Sequence, residues 1–164
     1  MSETDILNWR RIAAHLTTSG QPTEAQLGAL KDLGVTKVIN LAPHSNQGSL
    51  ADEAGSLAAL GIPYVNIPVD FDAPQESDFA AFCEAMEKAQ DDTLHVHCIF
   101  NARVSAFMYR YAKEGRGHDP DALFDVMDGI WRPGGVWAKF IGDPGNEGRE
   151  NQFAGFEYNP PKKT

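Results

Sequence analysis

The sequence predicts an α/β fold of three layers, with a central, largely parallel sheet of about four to five strands flanked by helices. Three observations carry this. Segments of helical periodicity alternate with short apolar runs rich in Val and Ile, the pattern of linked βαβ units. Helix start and stop signals bracket the periodic segments. The 164 residues, 42% hydrophobic and 23% charged, suffice for one core without disulfides or metals.

The elements follow in order. Thr23-Glu24-Ala25-Gln26, after Pro22, matches a capping box and opens a helix that runs to Leu33 and stops at Gly34. Residues 35–41 read as a buried strand. Residues 50–60 have helical periodicity and end at Gly61. Residues 62–69 read as a second strand, frayed by Pro63 and Pro68. A loop over residues 70–74 leads into a helix at 77–89, with Phe79, Phe82, Met86 and Ala89 on one face. Residues 93–97 form a short apolar strand carrying His95 and His97, and residues 102–114 a helix with Phe107, Met108 and Tyr111 inward. Asp119 is an N-cap with Pro120 in the first turn of a helix reaching Ile130. A last short helix falls at 135–141. From Gly142 the composition shifts to Gly, Pro, Asn and charge. The domain is therefore placed at 1–141, and 142–164 is expected to be a loosely attached or disordered tail, with Phe153, Phe156 and Tyr158 as its docking residues.

The formal charge is -9, and such a surface repels nucleic acid and anionic membranes, so neither is expected as a partner. A small anionic ligand needs a locally positive spot. No apolar run approaches the roughly 20 residues of a membrane helix, and the acidic N-terminus lacks the pattern of a signal peptide, so the expected location is cytoplasmic. Nothing in the composition marks an oligomeric state. Two cysteines, Cys83 and Cys98, in such a chain are expected as free thiols.

The informative segment is His97-Cys98-Ile99-Phe100-Asn101-Ala102-Arg103-Val104-Ser105. A strand ends at the cysteine, a tight loop follows, and a helix begins at or just before the arginine. Cys98 thus lies at the carboxyl end of a strand, where open parallel sheets bind ligands. The backbone N–H groups of Ile99, Phe100, Asn101, Ala102 and Arg103 and a helix N-terminus converge there as an anion cradle. The same positive field favours thiolate over thiol. Arg103 supplies a bidentate fork for two oxygens of a tetrahedral anion. Together these make a nucleophile with its own transition-state stabiliser.

His97-Cys98 followed by Arg103 resembles the signature of the protein tyrosine and dual-specificity phosphatases. Ser19-Gly20-Gln21-Pro22-Thr23, Val38-Ile39-Asn40-Leu41, residues 64–70, Val96-His97-Cys98, residues 103–107 and Ile130-Trp131 look like a bacterial branch of that superfamily, over roughly residues 17–141. The resemblance implies a cysteine-phosphatase fold, a phosphoric monoester hydrolase without cofactor or metal, and a phosphate-containing small molecule or phosphoprotein as substrate. It further implies an Asp general acid after the strand that precedes the Cys98 strand. Asp70, directly after that strand, is favoured, and Asp72 is the alternative. His97 and Ser105 take supporting roles.

One departure matters. The usual loop has five residues between Cys and Arg; here there are four, without Gly, and Val104 follows the arginine. Four is the spacing of rhodanese-type sulfurtransferases, where Asn101 would stand for a Gly, Asn being the next-best residue for left-handed backbone. A persulfide on Cys98, or a phosphate-binding module without turnover, are the alternatives to hydrolysis. Each residue also has an ordinary role: Cys98 as a buried thiol, Arg103 as an ion-pair partner, Asp70 and Asp72 as solvated turn carboxylates, Ser105 bonding back to its own helix. Cys83, Trp131 and Trp137 read as packing, and Asp119, Asp121, Asp125 and Asp128 as a solvated helix face. The spacing of His95, His97 and Cys98 matches no standard zinc pattern.

Overall fold

The computed structural model describes residues 4–116 and 118–153. A hairpin of β1 (Arg10–Ala13) and β2 (Leu16–Ser19) begins the sheet, and α1 (Glu24–Asp32), β3 (Lys37–Asn40), α2 (Glu53–Ala59) and β4 (Tyr64–Asn66) follow. Then come α3 (Glu76–Lys88), β5 (Leu94–His97), α4 (Ala102–Lys113) and α5 (Pro120–Asp128). β6 (Trp131–Arg132), α6 (Gly135–Ile141) and β7 (Gln152–Phe153) complete the described elements. The five-stranded sheet has the order β1-β2-β5-β3-β4; β1 and β2 are antiparallel and the other pairs parallel. β5 is central, so the strand that delivers Cys98 has neighbours on both edges.

Local sequence signals account for the helix starts. Thr23 Oγ1 accepts from Gln26 N–H at 3.2 Å while Gln26 Oε1 accepts from Thr23 N–H at 3.0 Å, a reciprocal cap. Asp119 accepts from Asp121 N–H at 3.0 Å, with Pro120 opening α5. Asp52 caps α2, which starts three residues later than periodicity alone predicts.

The prolines shorten β4 without ending its pairing. Pro63 still offers its carbonyl to Val38 N–H at 3.0 Å, and Ile67 and Val69 N–H bond Asn40 and Leu41 carbonyls at 2.9 Å. β4 is the edge strand, where proline is tolerated.

Successive β3 residues feed opposite faces, as pleating requires. Val38 joins Leu27, Leu30, Leu57 and Trp9 beneath α1 and α2. Ile39 joins the larger core beneath α3, α4 and α6, where Phe79, Phe82, Phe107, Trp137 and Phe140 meet in stacked and edge-on pairs. Cys83 lies in that core and Trp131 and Trp137 are buried in it; Asp119, Asp121, Asp125 and Asp128 are exposed.

The stretch expected as a loosely attached tail is described as far as Phe153. After a 3-10 turn at Pro144–Asn146, β7 pairs antiparallel with β6, and Phe153 stacks on Trp131 at 5.7 Å. Apolar burial of Phe153 favours this docking despite the polar composition around it. Phe156 and Tyr158 lie outside the described residues. Among the described residues no helix is long and apolar enough to cross a membrane.

Candidate active site

Cys98 follows the last residue of β5 and is 1% exposed; Arg103, in the first turn of α4, is 3% exposed. The loop between them is held from outside by its carbonyls. Cys98 O faces His97 Nδ1 at 3.0 Å, Ile99 O accepts from Gln21 N–H at 3.0 Å, and Phe100 O accepts from Asn8 Nδ2 at 2.8 Å. In a trans peptide the N–H points opposite to the C=O. Drawing three successive carbonyls outward therefore aims the N–H groups of Ile99, Phe100 and Asn101 inward, toward the start of α4, whose own first N–H groups point the same way.

Asn101 closes the loop. Its φ of 76° is left-handed, a conformation costly for most side chains and least so for Asn after Gly. Its side-chain amide donates to Asn8 O at 3.0 Å and Thr18 Oγ1 at 3.1 Å, anchoring the turn to the N-terminal hairpin. Gly20 is required beside it: a Cβ there would lie 2.5 Å from Ile99 O.

Arg103 donates from Nη1 to Val69 O at 2.9 Å and from Nη2 to Asn46 Oδ1 at 2.9 Å, and its guanidinium carbon sits 5.5 Å from the Phe71 ring centre. Arg103 is thereby joined to the turn that carries both candidate acids. Asp70, directly after Val69, is half-buried; its Oδ1 accepts from Asp72 N–H at 2.8 Å and its carbonyl from Ala73 N–H at 3.1 Å. Asp72 is exposed. Phe71 fixes the turn by packing on Trp131 and Trp137, and Trp137 Nε1 donates to Phe71 O at 2.6 Å.

Behind the cradle lie two buried histidines. His97 Nε2 is 2.5 Å from Glu53 Oε2, and Glu53 Oε1 accepts from Gln21 Nε2 at 2.7 Å. Burial pushes the Glu53 carboxyl up, but the hydrogen bond and charge of His97, with the Gln21 bond, outweigh it and hold the carboxyl below its ordinary range. His95 stands between hydroxyls. Ser19 Oγ donates to Gly20 O, so it accepts from His95 Nε2 at 2.7 Å, and Nδ1 accepts from Thr17 Oγ1 at 2.8 Å. Complete burial pushes the His95 ring far below its ordinary range, so it is neutral. Ser105 Oγ donates to Ala102 O at 3.0 Å and accepts from Trp131 Nε1 at 3.2 Å.

Sequence reasoning singled out Cys98, the loop, Arg103, Asp70, Asp72, His97 and Ser105. It missed Glu53, Asn46, Asn8 and Gln21. Glu53 reads locally as a first-turn helix acid, and its partner is 44 residues away. No group of three or more His, Cys, Asp or Glu suited to a metal ion occurs among the described residues.

No family profile matches the chain, and no curated protein sequence does. Solved structures do. A DUF442 protein from Shewanella putrefaciens CN-32, named as a candidate phosphatase, is 34% identical, covering 85% of this chain and 91% of that one, with a TM-score of 0.74. A second structure of such a protein from the same organism is 37% identical over 74% of this chain and 78% of that one, with a TM-score of 0.68. The catalytic core of Siw14 from S. cerevisiae, at 13% identity over 86% and 87% of the two chains, shares the fold at a TM-score of 0.67. The chain belongs to the DUF442 family, whose fold is that of the protein tyrosine and dual-specificity phosphatases.

Proposed function

We propose that the chain hydrolyses phosphate monoesters through a cysteinyl-phosphate intermediate. Cys98 thiolate attacks phosphorus. The N–H groups of residues 99–103 and the Arg103 fork hold the three equatorial oxygens, where charge develops. Asp70 protonates the leaving oxygen. Water then attacks the phosphorus of the S-phosphocysteine, Asp70 takes its proton, and the thiolate leaves as phosphate is released. The cradle and Arg103 provide the positive field that this chemistry needs, so no step calls for a metal ion.

The observation that carries this reading is the outward anchoring of the carbonyls of Cys98, Ile99 and Phe100, which turns the loop into a nest of donors beside a buried thiol. Membership of a phosphatase-fold family supports it. Asp70 is favoured over Asp72 because it is half-buried and adjoins Val69, whose carbonyl accepts from the clamp. The expected substrate is a small phosphate ester or a phosphoprotein; a charge of -9 disfavours polyanions. The test is hydrolysis of p-nitrophenyl phosphate by the reduced protein from pH 5 to 8. Turnover should be blocked by vanadate, indifferent to EDTA and lost in Cys98→Ser, by at least about a thousandfold. Undiminished turnover in Cys98→Ser would overturn the reading.

The four-residue loop, closed by left-handed Asn101, favours a second reading. Cys98 would take the sulfane sulfur of thiosulfate, releasing sulfite, and pass it to cyanide as thiocyanate. A one-sulfur mass addition on Cys98 together with thiocyanate formation would establish it, and their absence would remove it.

A further inference from the structure

We infer that Glu53 is a positioning residue for Cys98: through His97 it fixes a buried positive charge directly behind the nucleophile's own peptide, and so favours the thiolate. The inference rests on the reading of Cys98 as a nucleophile, but not on which group Cys98 transfers.

The geometry assigns the protons. His97 Nδ1 lies 3.0 Å from Cys98 O, and a carbonyl can only accept, so Nδ1 carries hydrogen. Nε2 lies 2.5 Å from a carboxylate oxygen, and donates to it. A ring that donates from both nitrogens is an imidazolium. The side chains of His97 and Glu53 are 0% and 2% exposed, so each is the other's counter-charge in place of water. The Glu53 carboxyl, held below its ordinary range, agrees with the ionised pair. The order outward from the nucleophile is Cys98, His97, Glu53, so the positive end of the pair is the nearer one.

The other ionisable groups around the pair do not duplicate it. His95, whose ring is stacked 6.2 Å from that of His97, is neutral. His44 and Tyr64, hydrogen-bonded to each other at 2.8 Å, lie on the Glu53 side: His44 helps to hold the Glu53 carboxyl down, and Glu53 in turn pushes the Tyr64 phenol up. Arg103 reaches from α4 to the Val69 carbonyl, and Asp70 and Asp72 follow Val69 in the turn after β4.

Glu53→Gln tests the charge while keeping the network. The new amide oxygen still accepts from Gln21, and the new amide N–H donates to His97 Nε2, which becomes an acceptor. His97 keeps its Nδ1–H bond to Cys98 O but loses its charge. The measurement is the rate of Cys98 alkylation by iodoacetamide against pH, followed by peptide mass, with the melting curve recorded in parallel. The midpoint should move up by roughly one unit or more in Glu53→Gln, with alkylation about tenfold slower at pH values below it. An unchanged or lowered midpoint in folded Glu53→Gln would overturn the inference. Should that variant not fold, His97→Asn keeps an amide N–H for Cys98 O without a charge, and the same upward shift is expected; its absence overturns the inference equally. No substrate is involved, so a protein without phosphatase activity would still give the result. A wild-type Cys98 that titrates like a free thiol would instead sink the nucleophile reading beneath it.

Discussion

His95 and His97 share a strand and a face, are both fully buried, and have opposite chemistry. Among the described residues the hydrogen-bond partners of His95 are the hydroxyls of Thr17 and Ser19, which serve a neutral ring, while Trp9 covers one face at 5.2 Å. His97 has a carboxylate on one nitrogen and the Cys98 carbonyl on the other. Burial keeps the His95 ring neutral, whereas at His97 a carboxylate on Nε2 offsets the same burial. The contrast divides the carboxyl end of the sheet into a scaffolding side, centred on β2 and His95, and a chemical side, centred on Glu53, His97 and the loop.

If that division is right, changes on the chemical side should remove turnover and leave stability alone, and changes on the scaffolding side should do the reverse. The largest effect after loss of the thiol is expected at the acid turn. Asp70→Asn should lower kcat about a hundredfold or more with the melting temperature unmoved, while Asp72→Asn stays near wild type. The opposite ranking in a steady-state assay would move the acid to Asp72. Gly20→Ala lies on the boundary. Its Cβ would press on Ile99 O, so both readouts should fall, stability by about 1–3 kcal/mol in a denaturant titration. A loss of activity alone would place the boundary nearer β2.

Ser19→Ala should act on stability only, costing about 1–3 kcal/mol by leaving His95 Nε2–H without its acceptor. The smallest effect is a pH slope. His95 is held neutral in the folded chain but takes a proton when unfolded below its ordinary value of about 6.5. The unfolded state then binds more protons, so this contribution is complete above that pH and is lost as pH falls, by at most about 1.4 kcal/mol per unit. Melting from pH 7 to pH 5 should show a shallower decline in His95→Gln than in wild type.

What the sequence made legible was what local signals encode. The Thr23 box, Asp119-Pro120 and the Gly34 stop are contacts within a few residues, and each marks its element in the structure. The parallel core was readable because Val38, Ile39 and Val96 sit in short β-branched runs between turn signals, and all three are buried. β2 was not readable. Leu16–Ser19 is fully buried yet three of its four residues carry hydroxyls, which look like a loop until His95 and Asn101 arrive to bond them from 76 or more residues away. The site followed the same rule. Cys98 and Arg103 announce themselves by spacing, whereas Glu53, Asn46 and Asn8 acquire meaning only through contacts that fold closure creates.

The loop from Cys98 to Arg103 is gripped by both extremes of the described chain. Asn8, ahead of β1, bonds its backbone and Asn101, and Phe153 of β7 lies edge-on to Phe100 at 5.8 Å. During synthesis domains form from the N-terminus as chain emerges. A ribosome-bound chain that already displays the sheet and the cysteine still lacks the aromatic that backs Phe100. The Cys98 loop is thus backed only once Phe153 has been made, so a product terminated before β7 carries the thiol without the ring behind Phe100.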